Sequence, residues 1–187
     1  MSKIRIYGDT SGYVDLAAPA VADNRNIDIA GALDSKLDTA GGKILQIVRA
    51  TDSTERSTTS TSTVDIPGMS ITITPQKSDS AIIVALIVEV WNDAGADSNG
   101  TYLMITDSSN SVISGAEEGI GAAYLTGYTG SGTRRIRGTS VIFGYDTPAT
   151  TSAVTYKLRG MVDTASTTLR VRNDRNTGQM YALEVSA

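Results

Sequence analysis

The chain has 187 residues, 40% of them hydrophobic and 5% aromatic, with a net charge of −4. That length suits one good-sized domain plus an appendage, with a core of Ile, Val, Leu, Ala and Met. It has no cysteine and no histidine, which excludes disulfides, thiolate nucleophiles, Cys- or His-ligated metals and imidazole general bases.

No cofactor is therefore expected. The charge is unevenly spread, with residues 1–43 at −1, residues 44–133 at −7 and residues 134–187 at +4. Blocks of this kind pair within one domain or across subunits. Nothing in the balance points to nucleic acid.

In chain order, the first stretch is organised differently from the rest. Ile4 and Ile6 alternate with Lys3 and Arg5, Val14 and Leu16 with Tyr13 and Asp15, and Ile27 and Ile29 with Asn26 and Asp28. Three strands this short cannot bury enough surface to stand alone. They are expected to pack on sibling chains or on a larger body, with a helical turn over 30–37 and a hinge over 39–42. The opening alternates instead of forming an apolar block, so no export signal is expected. No apolar run approaches the roughly 20 residues that span a bilayer as a helix, so the expectation is a soluble chain without membrane insertion.

From Gly42 onward β signals recur between turns, the pattern of a sandwich or barrel. The expected strands are 43–50, 69–74, 80–91, 101–106, 111–114, 135–144, 154–162, 168–172 and 180–185. Pro67 and Pro75 bracket the second of these, since prolines belong at strand ends. The Ser/Thr-rich segment 51–63 is low in complexity, with almost no apolar side chain to anchor it, and the glycine-rich segment 115–132 reads as a loop.

Ala81–Trp91 is the longest apolar run, and only Glu89 interrupts it. Its β-branched content predicts a strand, yet a strand with one wet face alternates and this one does not. It must be covered on both faces. The subunit's own core covers one face, and another copy of the chain is expected on the other, with Ile82, Val84, Leu86 and Val88 at the oligomer interface. The expected fold is all-β: a jelly-roll-like antiparallel β-sandwich over 43–187, preceded by a short extended N-terminal segment (1–40), as a homotrimer.

Candidate sites are few. Tyr124 and Tyr128 on the glycine-rich segment offer flat apolar faces with hydroxyl handles, suited to sugar or protein recognition. Arg135 with Arg137, Lys157 with Arg159, and Arg170 with Arg172 each share a strand face by period two. If their strands share a sheet, six cations line its outer surface and suit an anionic polysaccharide or an acidic protein patch. The plainer reading is a solvated face paired to Asp163, Asp174 or Glu184, worth roughly 0–1 kcal/mol per pair. Glu117 and Glu118 are adjacent and would point apart on a strand, unlike a glycosidase pair. Asp93, Asp97 and Asn99 resemble half a calcium loop without its closing Glu, so no metal site is expected.

The opening Ile4-Arg-Ile-Tyr-Gly-Asp-Thr-Ser-Gly-Tyr-Val-Asp-Leu-Ala-Ala-Pro-Ala-Val-Ala resembles the N-terminal module of bacteriophage tail-fibre and virion structural proteins, particularly those of cyanophages. The segments Ile44-Leu-Gln-Ile-Val-Arg-Ala-Thr, Ile71-Thr-Ile-Thr-Pro, Ser80-Ala-Ile-Ile-Val and Tyr181-Ala-Leu-Glu-Val-Ser-Ala are similar to their C-terminal knobs. The resemblance implies a non-enzymatic homotrimer on the virion, assembled in the host cytoplasm. Ile4, Ile6, Tyr13, Val14 and Leu16 would then bind the particle, and Tyr124, Tyr128, Arg135 and Arg137 would meet a host glycan or protein. Only about 26–42 is left for a shaft, which predicts a stub instead of a long fibre. The alternatives are a capsid decoration protein or head fibre, which keeps the fold, and a polysaccharide-degrading tailspike.

Overall fold

The computed structural model describes residues 3–7, 13–17, 42–94, 100–116 and 134–187, in two compact units, Met1–Thr39 and Ala40–Ala187. In the first, β1 (Lys3–Tyr7) and β2 (Tyr13–Ala17) pair antiparallel, with Ile4 opposite Leu16 and Ile6 opposite Val14. The strand expected at Ile27 and Ile29 and the helical turn at 30–37 lie outside the described residues.

The second unit is all-β among its described residues. Its strands are β3 (Ile44–Asp52), β4 (Glu55–Thr58), β5 (Val64–Ile73), β6 (Ala81–Ala94), β7 (Thr101–Thr106), β8 (Arg134–Asp146), β9 (Val154–Val162), β10 (Thr167–Arg172) and β11 (Gly178–Val185). β11 and β10 lie end to end along one edge of β6, and β8 runs along the other. Outside them β3 pairs β11 and β4 pairs β10. β3–β4 and β10–β11 are thus two strands, each interrupted partway, and the sheet is four strands wide. A second sheet has the order β5-β9-β7. This interleaving, with the last strand between the first and third, is that of a jelly roll. Beyond β7 the chain turns back and Val112 bridges Thr106, where 111–114 had been expected as a full strand.

Both interruptions meet at one polar knot. Asp52, at the end of β3, accepts hydrogen bonds from Asn173 Nδ2 (3.0 Å) and Arg56 Nε (3.3 Å). Gly68 abuts it with φ +83°, and a Cβ at that position would lie 2.8 Å from the Asp52 carboxyl carbon. Only glycine suits that conformation and that spacing.

The core fills the space between the sheets. Ile71, Ile73, Leu103, Ile105, Tyr156 and Leu158 of the three-stranded sheet meet Ile82, Val84, Leu86, Ile142, Leu169 and Met180 of the other, all nearly or fully buried. The four β6 side chains expected at a subunit interface, Ile82, Val84, Leu86 and Val88, are 0–1% exposed inside their own subunit. Their neighbours at odd-numbered positions face outward instead. The period-two rule assigns one face to each set but cannot tell which one is internal.

Two local expectations change. β4 lies in the low-complexity segment 51–63, where no strand was expected, held by pairing to β10 and by ion pairs from Glu55 instead of apolar side chains. Pro67 lies within β5 and not at its end, at a register shift between Asp65 and Ser70 where no ladder bond is lost.

Candidate functional site: the outer face of the four-stranded sheet

Residues paired across antiparallel strands share a face, so the register maps the outer surface. Ile83 lies between Leu183 and Tyr145, Ala85 between Tyr181 and Phe143, and Ile87 between Gln179 and Val141. Ile47 lies opposite Leu183 on β3. Ile47 and Phe143 are each 59% exposed, Tyr145 51%, Val141 41% and Ile87 40%. Taking about 150–250 Å² for a whole aromatic side chain, the patch exposes on the order of 500 Å² of apolar surface. An outward sheet face on an isolated domain is normally polar.

One step further along the strands the same face changes character. Trp91 lies between Arg170 and Arg137, and Asp93 lies opposite Arg135. The Trp91 ring is 3% exposed because guanidinium groups cover it. The Arg172, Arg137, Arg135 and Arg175 guanidinium carbons lie 3.9, 4.4, 4.6 and 4.9 Å from its centroid. Each such cation over a ring is worth roughly 0.5–2 kcal/mol, more where water is excluded. The indole Nε1–H donates to Glu89 Oε1 (2.7 Å). The turn after β10 folds over the ring and brings Arg175 and Asn176 with it, Asn176 donating to the other Glu89 oxygen.

Carboxylates hold part of this cationic layer. Asp93 accepts two hydrogen bonds from Arg135 and one from Arg170 Nε (2.7 Å). Glu55 pairs with Arg170 (2.6 Å) and Arg172 (3.4 Å), and Asp174 takes Arg172 through two bonds of 2.9 Å. The hydrogen bond from Arg135 holds the Asp93 carboxyl below its ordinary range, against the opposing effect of burial and with help from Arg170. Among the described residues, Arg137 and Arg175 contact the ring and make no direct ion pair, although Arg175 helps to lower the Asp174 carboxyl.

The expected cation stripe is therefore divided between the sheets. Arg135, Arg137, Arg170 and Arg172 share the outer face just described, whereas Lys157 and Arg159 lie on β9 in the other sheet. There both pair with Asp65, at 3.1 and 2.8 Å. Of the anticipated carboxylate partners only Asp174 serves. Asp163 accepts from the Gly100 amide instead, and Glu184 binds Gln46 and the Gln76 and Lys77 amides at the rim of the core. Tyr124, Tyr128, Glu117, Glu118, Asp97 and Asn99 lie outside the described residues.

The Trp91 cluster was not anticipated, although a signal for it was present. Glu89, Trp91 and Asp93 alternate with Val88, Val90 and Asn92, a polar outer half that the apolar run conceals. A cleft of about 400 Å³ near Asp107 and Asp146 offers little chemistry. Asp107 is occupied by the Ser109 and Ser111 amides, and Asp146 by the Tyr156 hydroxyl. Among the described residues no group of three or more acidic side chains could hold a metal ion, and no helix is long and apolar enough to cross a membrane.

The fold defines an all-β antiparallel sandwich as the class. No protein-family model matches the sequence, and no curated protein does. Among solved structures the chain is similar to capsid proteins of infectious bursal disease virus. The VP2 subviral particle shares 14% identity at a TM-score of 0.34, over 94% of this chain and 44% of that one. The Gx strain structure shares 15% at 0.30, over 98% and 46%, and the Gt strain structure 11% at 0.29, over 96% and 48%. The chain spans less than half the length of these proteins, and likeness at this level bears on neither function nor assembly.

Proposed function

We propose that this chain is a non-enzymatic structural protein of a bacteriophage particle, a short homotrimeric fibre or knob. The observation that supports it most is the apolar half of the four-stranded sheet's outer face. Burying about 500 Å² per copy against sibling chains is worth roughly 12 kcal/mol gross, before ordering costs. The interface passes from Ile82, Val84, Leu86 and Val88 to their outward neighbours Ile83 and Ile87, with Ile47, Val141, Phe143 and Tyr145. Residues 1–40 attach to other virion proteins through Ile4, Ile6, Tyr13, Val14 and Leu16. Residues 43–187 face outward, where Tyr124, Tyr128, Arg135 and Arg137 meet the host surface weakly, with many copies supplying avidity.

The brevity of the segment between the two modules favours a second reading, a decoration protein or head fibre that clamps capsid subunits. A tailspike hydrolase is disfavoured by the sequence. It has no histidine or cysteine, and its candidate acids Glu117 and Glu118 are adjacent, whereas a glycosidase pair faces across about 5–9 Å. Immunogold labelling of virions with antibody against 43–187 tests the proposal. Tail labelling is expected, capsid-only labelling would select the decoration reading, and unlabelled particles would overturn both. Oligosaccharides released from host capsule by purified protein would overturn the non-enzymatic assignment.

A further inference from the structure

We propose that the arginine layer over Trp91 binds an anionic glycan through its sulfate or carboxylate groups, with Arg137 as the principal contact and Arg175 beside it. The proposal deepens the contact surface described above by naming its ligand class, and rests on that reading only for the outward display of this end of the sheet. The layer holds five guanidinium groups. Asp93 serves Arg135 and Arg170, Glu55 serves Arg170 and Arg172, and Asp174 serves Arg172 directly. Asp174 also feels the charge of Arg175, without a direct ion pair. Glu89 is taken by the indole N–H and Asn176. Arg137 is exposed, stacks over the ring and, among the described residues, makes no direct ion pair. Its guanidinium carbon and that of Arg175 lie 4.4 and 4.9 Å from the same centroid, so the two forks are within about 9 Å of each other. Stacking orders the Arg137 fork before a ligand arrives and leaves its edge to take paired oxygens.

The surroundings of Arg137 favour a glycan over an acidic protein segment. The apolar half of the face is assigned to sibling chains, and Val141, where it begins on β8, is four residues from Arg137, about 13 Å along an extended strand. What remains around Arg137 is polar. Thr139 is exposed and lies opposite Glu89, and Asn176 donates to Glu89 from the turn above. A protein partner needs an apolar centre depleted in charge, and this end of the sheet offers none. Sugar hydroxyls and spaced anions match hydroxyl, amide and guanidinium groups instead. A repeating polymer also presents the same group to every copy on a particle, which suits sites that are individually weak.

Trp91 is the only tryptophan in the chain, so its emission reports directly on this site. The full-length protein is titrated with heparin, which carries sulfates and carboxylates, and with polygalacturonate, which carries carboxylates alone. A saturable emission change is expected with at least one of them, and the one that binds names the group recognised. Poly-L-glutamate and inorganic sulfate, at matched anion concentration, should act at least tenfold more weakly. Arg137→Gln and Arg175→Gln should each weaken binding at least threefold. Arg159→Gln removes the same charge from the other sheet and should change binding less than twofold. A flat titration with both glycans, unchanged binding in either folded variant of the layer, or an equal loss in Arg159→Gln would each overturn the proposal. So would poly-L-glutamate or inorganic sulfate acting as strongly as the glycan. Absent glycan binding by an intact trimer would sink this inference alone, and a monomer that binds glycan would sink the oligomer reading alone.

Discussion

Along β6 the outward side chains change partners within a few residues. Ile83, Ala85 and Ile87 have mostly apolar neighbours on β11 and β8, and much of that surface is open. Trp91 has arginines as neighbours and is almost fully covered by them. Both halves present apolar atoms outward, but only one is covered within its own chain. An arginine layer is an intramolecular cover because its planar groups stack on the ring while their edges stay wet. The half that lacks such a layer is the half proposed to meet a sibling chain.

The largest expected effect separates the inner from the outer face of the same strand. Leu86→Asp places an unpaired carboxylate in the core and should cost more than about 4 kcal/mol, leaving no folded protein. Circular dichroism should then show no cooperative melt, and a native-like melt would contradict the assigned faces. Trp91→Ala comes next, at about 3–5 kcal/mol. It removes the ring and leaves like charges crowded together. Urea unfolding should register this as a lower midpoint, and a loss under about 1 kcal/mol would mean that the arginine layer stands without its platform.

Acid should discriminate more gently. Burial raises the Glu184 carboxyl, but hydrogen bonds from Gln46 and the Lys77 and Gln76 amides outweigh it and hold the group below its usual range. Asp93 is lowered as well, first by Arg135. A depressed carboxyl stabilises the fold above its unfolded pKa and loses that contribution as pH falls through the folded value. Thermal midpoints should therefore drop below about pH 4. Glu184→Gln should flatten part of that drop, and a pH profile identical to that of the parent would refute the role given to this carboxylate.

Much of the fold was legible in the sequence because period-two alternation and turn residues act locally. β7 and β9 begin and end at the expected residues, and Trp91 closes a run whose strand character was plain. β4 was not legible, since its hold is an ion pair between Glu55 and arginines more than 100 residues away. The outer site was half legible. Arg135, Arg137, Arg170 and Arg172 were marked as outward cations, but their common target was not, because Trp91 joins them only through the register of β10 and β8 on β6. The separation of Lys157 and Arg159 has the same origin. Strand order is a long-range property that no local pattern encodes.

The most direct test is the solution mass of the full chain and of Phe143→Asp, measured by light scattering at matched concentrations. The account predicts a trimer for the parent, and for the variant a smaller species that still melts cooperatively, at a midpoint below the parent's. A monomeric parent, or a variant with undiminished mass, would contradict it.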